Sequence, residues 1–154
     1  METSRQRSAD DPHGLNRFVL AQGAVYHQAL AEIRRGEKRS HWMWYVFPQI
    51  AGLGSSPTSR HYAIRSAAEA GAYLEHPVLG PRLRECAEAA LGVEGRTAAE
   101  IFGGIDAQKL RSSATLFATV SPEGSVFQRL LDRYFQGRPD ERTLELLGSP
   151  SREE

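Results

Sequence analysis

The chain has 154 residues, of which 40% are hydrophobic and 25% charged, enough for one ordinary domain that buries about two thirds of its unfolded surface without a metal or disulfide staple. Lys+Arg 19 and Asp+Glu 19 cancel to a formal charge of zero, which excludes a general nucleic-acid coat and a membrane-surface helix held by net charge. The single cysteine, Cys86, has no partner for an internal disulfide, and no apolar run is long enough for a signal peptide or a membrane span, so the cytoplasm is the simplest compartment.

Residues 1–13 carry Arg5, Arg7, Asp10 and Asp11 with few apolar side chains and read as a frayed leader, as 149–154 read as a frayed tail. Between them, 14–148 form the globular part. Leu15, Phe18, Val19, Tyr26, Ala29, Leu30 and Ile33 fall at helical spacing, predicting one helix bent near Gly23 that stops at Arg34-Arg35-Gly36. The apolar run 42–47 is too short for periodicity to decide between buried helix and strand; as a helix it would be capped by Ser40 and ended by Pro48. Gly52-Leu53-Gly54-Ser55-Ser56-Pro57 reads as a loop.

Downstream, Ser66-x-x-Glu69 and Thr97-x-x-Glu100 fit the capping box and each predicts a helix start. Pro77 suits a first helical position, ahead of the stripe Leu83, Cys86, Ala87, Ala90 and Leu91 that Gly92 ends, with His76 closing the preceding junction. Cys86 on that stripe suits a small buried hydrophobe better than a nucleophile. Asp106 is placed to cap a helix carrying Leu110, Ala114, Phe117 and Val120 up to Ser121-Pro122; Phe127, Leu130, Leu131 and Tyr134 make the next, and Pro139 opens a short last helix. Period-2 alternation is scarce and 43–47 has no second strand to pair with. The fold class is therefore all-α, a single multi-helix domain without internal repeats.

The segment His41-Trp42-Met43-Trp44-Tyr45-Val46-Phe47-Pro48-Gln49 holds both tryptophans and four of the chain's aromatic residues. Its rings want burial or a flat partner, while the imidazole, two indole N–H groups, the phenol and Gln49 need hydrogen-bond partners once water leaves. From Lys38 to Ala68 there is no carboxylate, but Lys38, Arg39, Arg60 and Arg65 lie there. Arginine forks, the amides of Gly52 and Gly54 and an indole face together suit an anionic aromatic ligand; solvated basic turns around core tryptophans are the plain alternative. Lys109, Ser112 and Ser113 fall on neighbouring turns of one helix face, where the hydroxyls either meet a ligand or bond back to the preceding turn. The histidines show no metal-ligand spacing with each other or with Cys86, so no metal or other cofactor is expected. His41, beside the rings, is the candidate acid or base.

The set Lys38-Arg39-Ser40-His41-Trp42-Met43-Trp44, Phe47-Pro48-Gln49, Gly52-Leu53-Gly54, His76-Pro77-x-Leu79-Gly80-x-Arg82-Leu83 and Lys109-Leu110-Arg111-Ser112-Ser113 resembles a mostly bacterial family catalogued as a domain of unknown function, over about residues 14–148. The resemblance implies a compact helical domain of cytoplasmic character and no established activity. It also singles out His41, Trp42, Trp44, Pro48, Gln49, Gly52, Gly54, His76, Lys109, Ser112 and Ser113 as the motif residues. Some members carry the label calpastatin, which these capped amphipathic helices do not suit, because inhibition by an extended disordered segment requires low hydrophobicity and repeats.

The functional expectation is a pocket for a nucleotide-like or ADP-ribose-like anion, built where the aromatic segment and loop 52–60 meet the face of Lys109, Ser112 and Ser113. In it Trp42 or Trp44 would stack, Arg60 or Lys109 neutralise, and His41 serve any hydrolysis of an N-glycosidic or phosphate linkage. The rival is a non-catalytic interaction module that offers Trp42–Phe47 to a protein partner.

Overall fold

A computed structural model describes residues 11–152; residues 1–10, 153 and 154, which include most of the expected leader and the end of the expected tail, lie outside the described residues. The elements are α1 (Asn16–Gly23), α2 (Tyr26–Arg35), α3 (Met43–Val46), α4 (Pro57–His61), α5 (Ala67–Glu75), α6 (Leu79–Leu91), α7 (Ala98–Phe102), α8 (Gly104–Thr119), α9 (Val126–Phe135) and α10 (Glu141–Arg152). Among the described residues there is no strand, only one parallel bridge between Ile50 and Ile64. None of the described helices is long and apolar enough to cross a membrane.

Two helices organise the packing. α6 is covered by α2, α3, α5 and α9, and α8 by α5, α7, α9 and α10. The α6 stripe Leu79, Leu83, Cys86, Ala87 and Ala90 is buried throughout. In α8 every side chain from Ser112 to Phe117 is buried, as expected of a helix enclosed on most of its circumference rather than on one face. An aromatic column joins the layers. Phe18 meets Tyr73 edge-on at 5.1 Å, Tyr73 meets Phe117 at 5.4 Å, and Phe117 meets Phe127 at 5.6 Å.

Burial has a chemical consequence for Cys86, the α6 cysteine. It has no exposed surface, and burial pushes its thiol up to about 12, so little thiolate exists near neutral pH. Labelling by a disulfide reagent at mildly alkaline pH is expected to await unfolding; rapid stoichiometric labelling of the native protein would contradict this packing.

Several boundaries differ from the sequence reading, each for a local reason. The first predicted helix is two helices: α1 ends where the Val25 amide turns back to Gln22 at 3.0 Å, and α2 starts afresh. The buried Gln22 carboxamide then donates to the Tyr45 carbonyl at 2.7 Å and the Tyr73 hydroxyl at 3.0 Å. Gly36 ends α2 with φ +79°, and the Glu37 amide reaches the Glu32 carbonyl, a Schellman ending. Asp11, assigned to the leader by sequence, accepts the amides of Leu15 and Asn16 at the start of α1.

Ser40 does not cap α3; its hydroxyl donates to Glu32 at 2.6 Å, and Trp42 occupies the cap position. The segment 42–47 contains one helical turn rather than a strand. α6 begins two residues after Pro77, because the His76 Nδ1 accepts the amides of Val78 and Leu79 at 3.1 and 3.2 Å and acts as the cap. Thr97 and Glu100 form the complete capping box of α7. The box at Ser66 is half built: Ser66 accepts the Glu69 amide, while the Glu69 carboxylate goes to the Arg65 amide and the Arg17 guanidinium. Asp106 is not an N-cap. Gly103, at φ +86°, ends α7 and α8 starts at once at Gly104, leaving Asp106 in the first turn with its carboxylate free to pair with lysines.

Candidate functional site

The site lies where the loop after α3 crosses the N-terminal half of α8. α3 ends at Val46, Pro48 is buried, and the chain is then pinned to the segment after α4: the Ala51 amide donates to Ile64 and the Ile64 amide to Gln49, both at 2.8 Å. That pairing closes a surface loop that carries α4, whose start is capped by Ser56 accepting the Ser59 amide. Gly52 has φ +106°, a conformation that favours glycine. A Cβ on Gly54 would fall 2.8 Å from the Ser59 Cβ and 3.6 Å from the Trp44 ring. Gly54 thus lets the loop lie close over Ser59 and Trp44, while Gly52 faces the Leu146 side chain.

The result is a cleft of two adjoining lobes. The smaller, of about 270 Å³, is walled by Trp44, Tyr62, Gln49 and the 50–54 backbone, with Arg60 and Arg65 on its border. The larger, of about 560 Å³, runs from Trp44, Gln49 and Gly54 to Lys109, Ser112 and Arg142. Trp44, Gln49, Leu53 and Gly54 belong to both. α8 positions its half by spacing: Ile105, Gln108, Lys109 and Ser112 share one face. Arg111, pointing elsewhere, donates to the carbonyls of Arg138 and Pro139 and so anchors the start of α10, which brings Arg142 to the cleft.

Charge in the cleft is predominantly positive. Among the described residues its only lining carboxylate is Asp140, which caps α10 and whose oxygens accept from Gln108 at 3.1 Å and from the Thr143 amide at 3.0 Å. The Lys109 ammonium stands 4.0 Å from the Trp44 ring centroid and 3.2 Å from Asp106. On its other side Asp106 meets Lys38 at 2.7 Å. Burial opposes the charged form of Asp106, but the two ammonium groups outweigh it and hold the carboxyl below its ordinary range. Two cations sharing one anion leave a positive excess beside Trp44.

Of the residues the sequence singled out, Trp44, Gln49, Gly52, Gly54, Arg60, Lys109 and Ser112 line the cleft. Trp42 does not. It is fully buried, its Nε1 donating to Glu32 at 2.9 Å and its ring edge-on to Phe102, so it is a core residue with no face for a ligand. Ser113 is also turned away, about 100° around α8 from Ser112; its hydroxyl is buried without a partner outside the cleft. His41 is exposed and lines neither lobe. Met43, Val46 and Phe47 join Trp42 in the core, so the aromatic run offers a protein partner no continuous ring surface.

Sequence reasoning missed Arg142, Gln108, Asp140 and Tyr62. Gln108 was legible by its spacing from Ser112 on one face of α8, whereas nothing local marks the others. Arg65 was visible as part of the carboxylate-free stretch. Among the described residues no group of three or more His, Cys, Asp and Glu side chains comes together to hold a metal ion.

Comparison with known proteins gives kinship without an activity. The chain is similar to the conserved hypothetical protein Rv1873 from Mycobacterium tuberculosis, whose crystal structure matches with a TM-score of 0.88 and 51% sequence identity over 90% of this chain and 99% of that one. No curated protein matches it. Residues 12–147 match the family described as Protein of unknown function (DUF1810), and the chain belongs to that family.

Proposed function

We propose that the domain binds an anionic, nucleotide-like small molecule in the two-lobed cleft. The observation that carries this reading is the composition of the border: Arg60, Arg65, Lys109 and Arg142 face a space where the one carboxylate among the described residues is already engaged. Trp44 supplies a flat apolar wall, and the backbone around Gly52 and Gly54 supplies close polar contacts. Both lobes together offer the concavity a metabolite needs, where a protein partner would need a broad flat patch. The reading is one of binding rather than turnover, because His41 stands outside both lobes and the carboxylate inside is held by Gln108 and Thr143. We place the ligand among cytoplasmic metabolites.

Thermal denaturation against a panel of nucleotides and NAD-related metabolites tests it. A ligand at about 100 times its Kd adds about 2.7 kcal/mol to stability, and a domain of this size gains about 2–4 °C per kcal/mol. A rise of several degrees is expected with at least one compound, reduced in Lys109→Ala and Arg142→Ala. Absence of any shift at millimolar concentrations across the panel would remove the proposal.

A further inference from the structure

Resting on that reading, we infer that the cleft's ligand is a nucleotide in a defined orientation, with its base held by Gln49 at the smaller lobe and its phosphates held by Lys109 and Arg142 in the larger. Gln49 is the key residue. It is only 9% exposed and borders both lobes. Its main chain is committed, the carbonyl accepting from Ile64 at 2.8 Å. Its carboxamide bonds no described residue and opens into the cleft. Its polar atoms are not closed off as the Ser113 hydroxyl is, so the group is open to water or to a ligand entering the cleft.

The chemistry of that group narrows the ligand. A carboxamide presents a donor and an acceptor side by side, the complement of the adjacent donor and acceptor on a nucleobase edge, as in glutamine's two-point contact with adenine. A phosphate alone would use only its N–H side and leave the oxygen unmet. Among the described residues the smaller lobe has no carboxylate; it has two aromatic walls in Trp44 and Tyr62, and about 270 Å³, room for a ring but little more. The remainder of the molecule then extends past Trp44 into the larger lobe, where the Lys109 ammonium and the Arg142 guanidinium suit phosphate oxygens, the Ser112 hydroxyl being spent on the Gln108 carbonyl at 3.2 Å. Lys109 over the Trp44 ring stands at the seam between the halves.

Calorimetric titration of the whole chain with the four common nucleoside diphosphates, ribose 5-phosphate and inorganic pyrophosphate decides the matter. At least one nucleoside diphosphate is expected to bind about tenfold or more tightly than pyrophosphate and ribose 5-phosphate. Gln49→Ala should erase that advantage while pyrophosphate affinity stays the same, and Lys109→Ala should weaken every phosphate-bearing probe. Should Gln49→Ala fold poorly by circular dichroism, Gln49→Met, which keeps the volume and removes both polar atoms, carries the same expectation. Pyrophosphate matching all four nucleotides, with the Gln49 variants silent, would overturn this inference and leave anion binding standing. Failure of every probe to bind would overturn both. Loss of pyrophosphate binding in Arg60→Ala with Lys109→Ala unchanged would reverse the orientation and also overturn the assignment.

Discussion

Replacing Glu32 by alanine is expected to lower the unfolding free energy by about 3 kcal/mol, since hydrogen bonds to a charged group contribute about 1.5–3 kcal/mol and the stranded donors add to the loss. Glu32 lies on α2 at 2% exposure, and its carboxylate gathers the chain that follows. Oε1 accepts the Arg39 amide at 2.9 Å, the Ser40 amide at 3.1 Å and the Trp42 indole at 2.9 Å; Oε2 accepts the Ser40 hydroxyl at 2.6 Å and the Gln28 carboxamide at 3.1 Å. Alanine would leave the Trp42 indole N–H buried and unmet, and would strip the part-buried Arg39 and Ser40 amides of their acceptor. The same bonds fix an acid dependence. Burial alone would raise the Glu32 carboxyl, but the donors from Ser40, Arg39 and Trp42 outweigh it and lower it from 4.5 to about 2. A carboxyl lowered by folding stabilises the folded state above its unfolded value, and that contribution fades as pH falls from about 4.5 towards 2; its size is on the order of 3 kcal/mol. Urea unfolding across this range should show wild type converging on Glu32→Ala as acid is added. A gap that stays constant with pH would show that Glu32 is not the titrating support.

The elements read most faithfully from sequence were those whose ends are decided by near neighbours. Thr97 and Glu100 satisfy each other's amides within one turn, so the start of α7 was written locally. The α6 stripe was legible for a related reason, since a single periodic face meets the core. Where an end depends on a partner far along the chain, the reading slipped. Ser40 looked like a cap until Glu32, eight residues back, took its hydroxyl. Asp106 looked like a cap until Lys38, far away in sequence, became its ion-pair partner and Gly103 supplied the break. The run 42–47 was undecidable because its residues are buried by Glu32 and Phe102 rather than by any periodic face of their own.

The candidate site was half visible for the same reason. Residue type and spacing pointed to Trp44, Gln49, Gly54, Lys109 and Ser112, which the fold brings to one cleft. Type alone could not separate Trp42 from Trp44. Two residues apart on a helical turn, they face nearly opposite ways, so one indole bonds Glu32 in the core and the other borders open space. Ser112 and Ser113 divide similarly, one beside Lys109 and one buried away from it. Arg142 carried no signal at all, because its place depends on Arg111 holding the 138–139 backbone against α8.

A pair of glycine substitutions should separate close packing from chain entropy within one helix pair. Gly80 stands in the first turn of α6, where an added Cβ would lie 2.1 Å from the Leu74 carbonyl oxygen and 2.9 Å from its carbon. Those are backbone atoms of α5, and the same oxygen accepts the Arg84 guanidinium at 3.2 Å, so relief requires parting the two helices. Gly80→Ala is expected to lose about 2–3 kcal/mol, overpacking outweighing the roughly 1 kcal/mol that alanine gains in a helix. Gly71 lies inside α5 with nothing within 4 Å of its hypothetical Cβ and no positive φ. Gly71→Ala is expected to gain about 0.5–1 kcal/mol, because the unfolded chain loses freedom while the helix accepts the methyl without strain. Chemical denaturation should therefore move the two midpoints in opposite directions. A stabilising Gly80→Ala would mean that α5 and α6 do not approach as closely as their shared contact requires, and the position of the His76 cap between them would have to be redrawn.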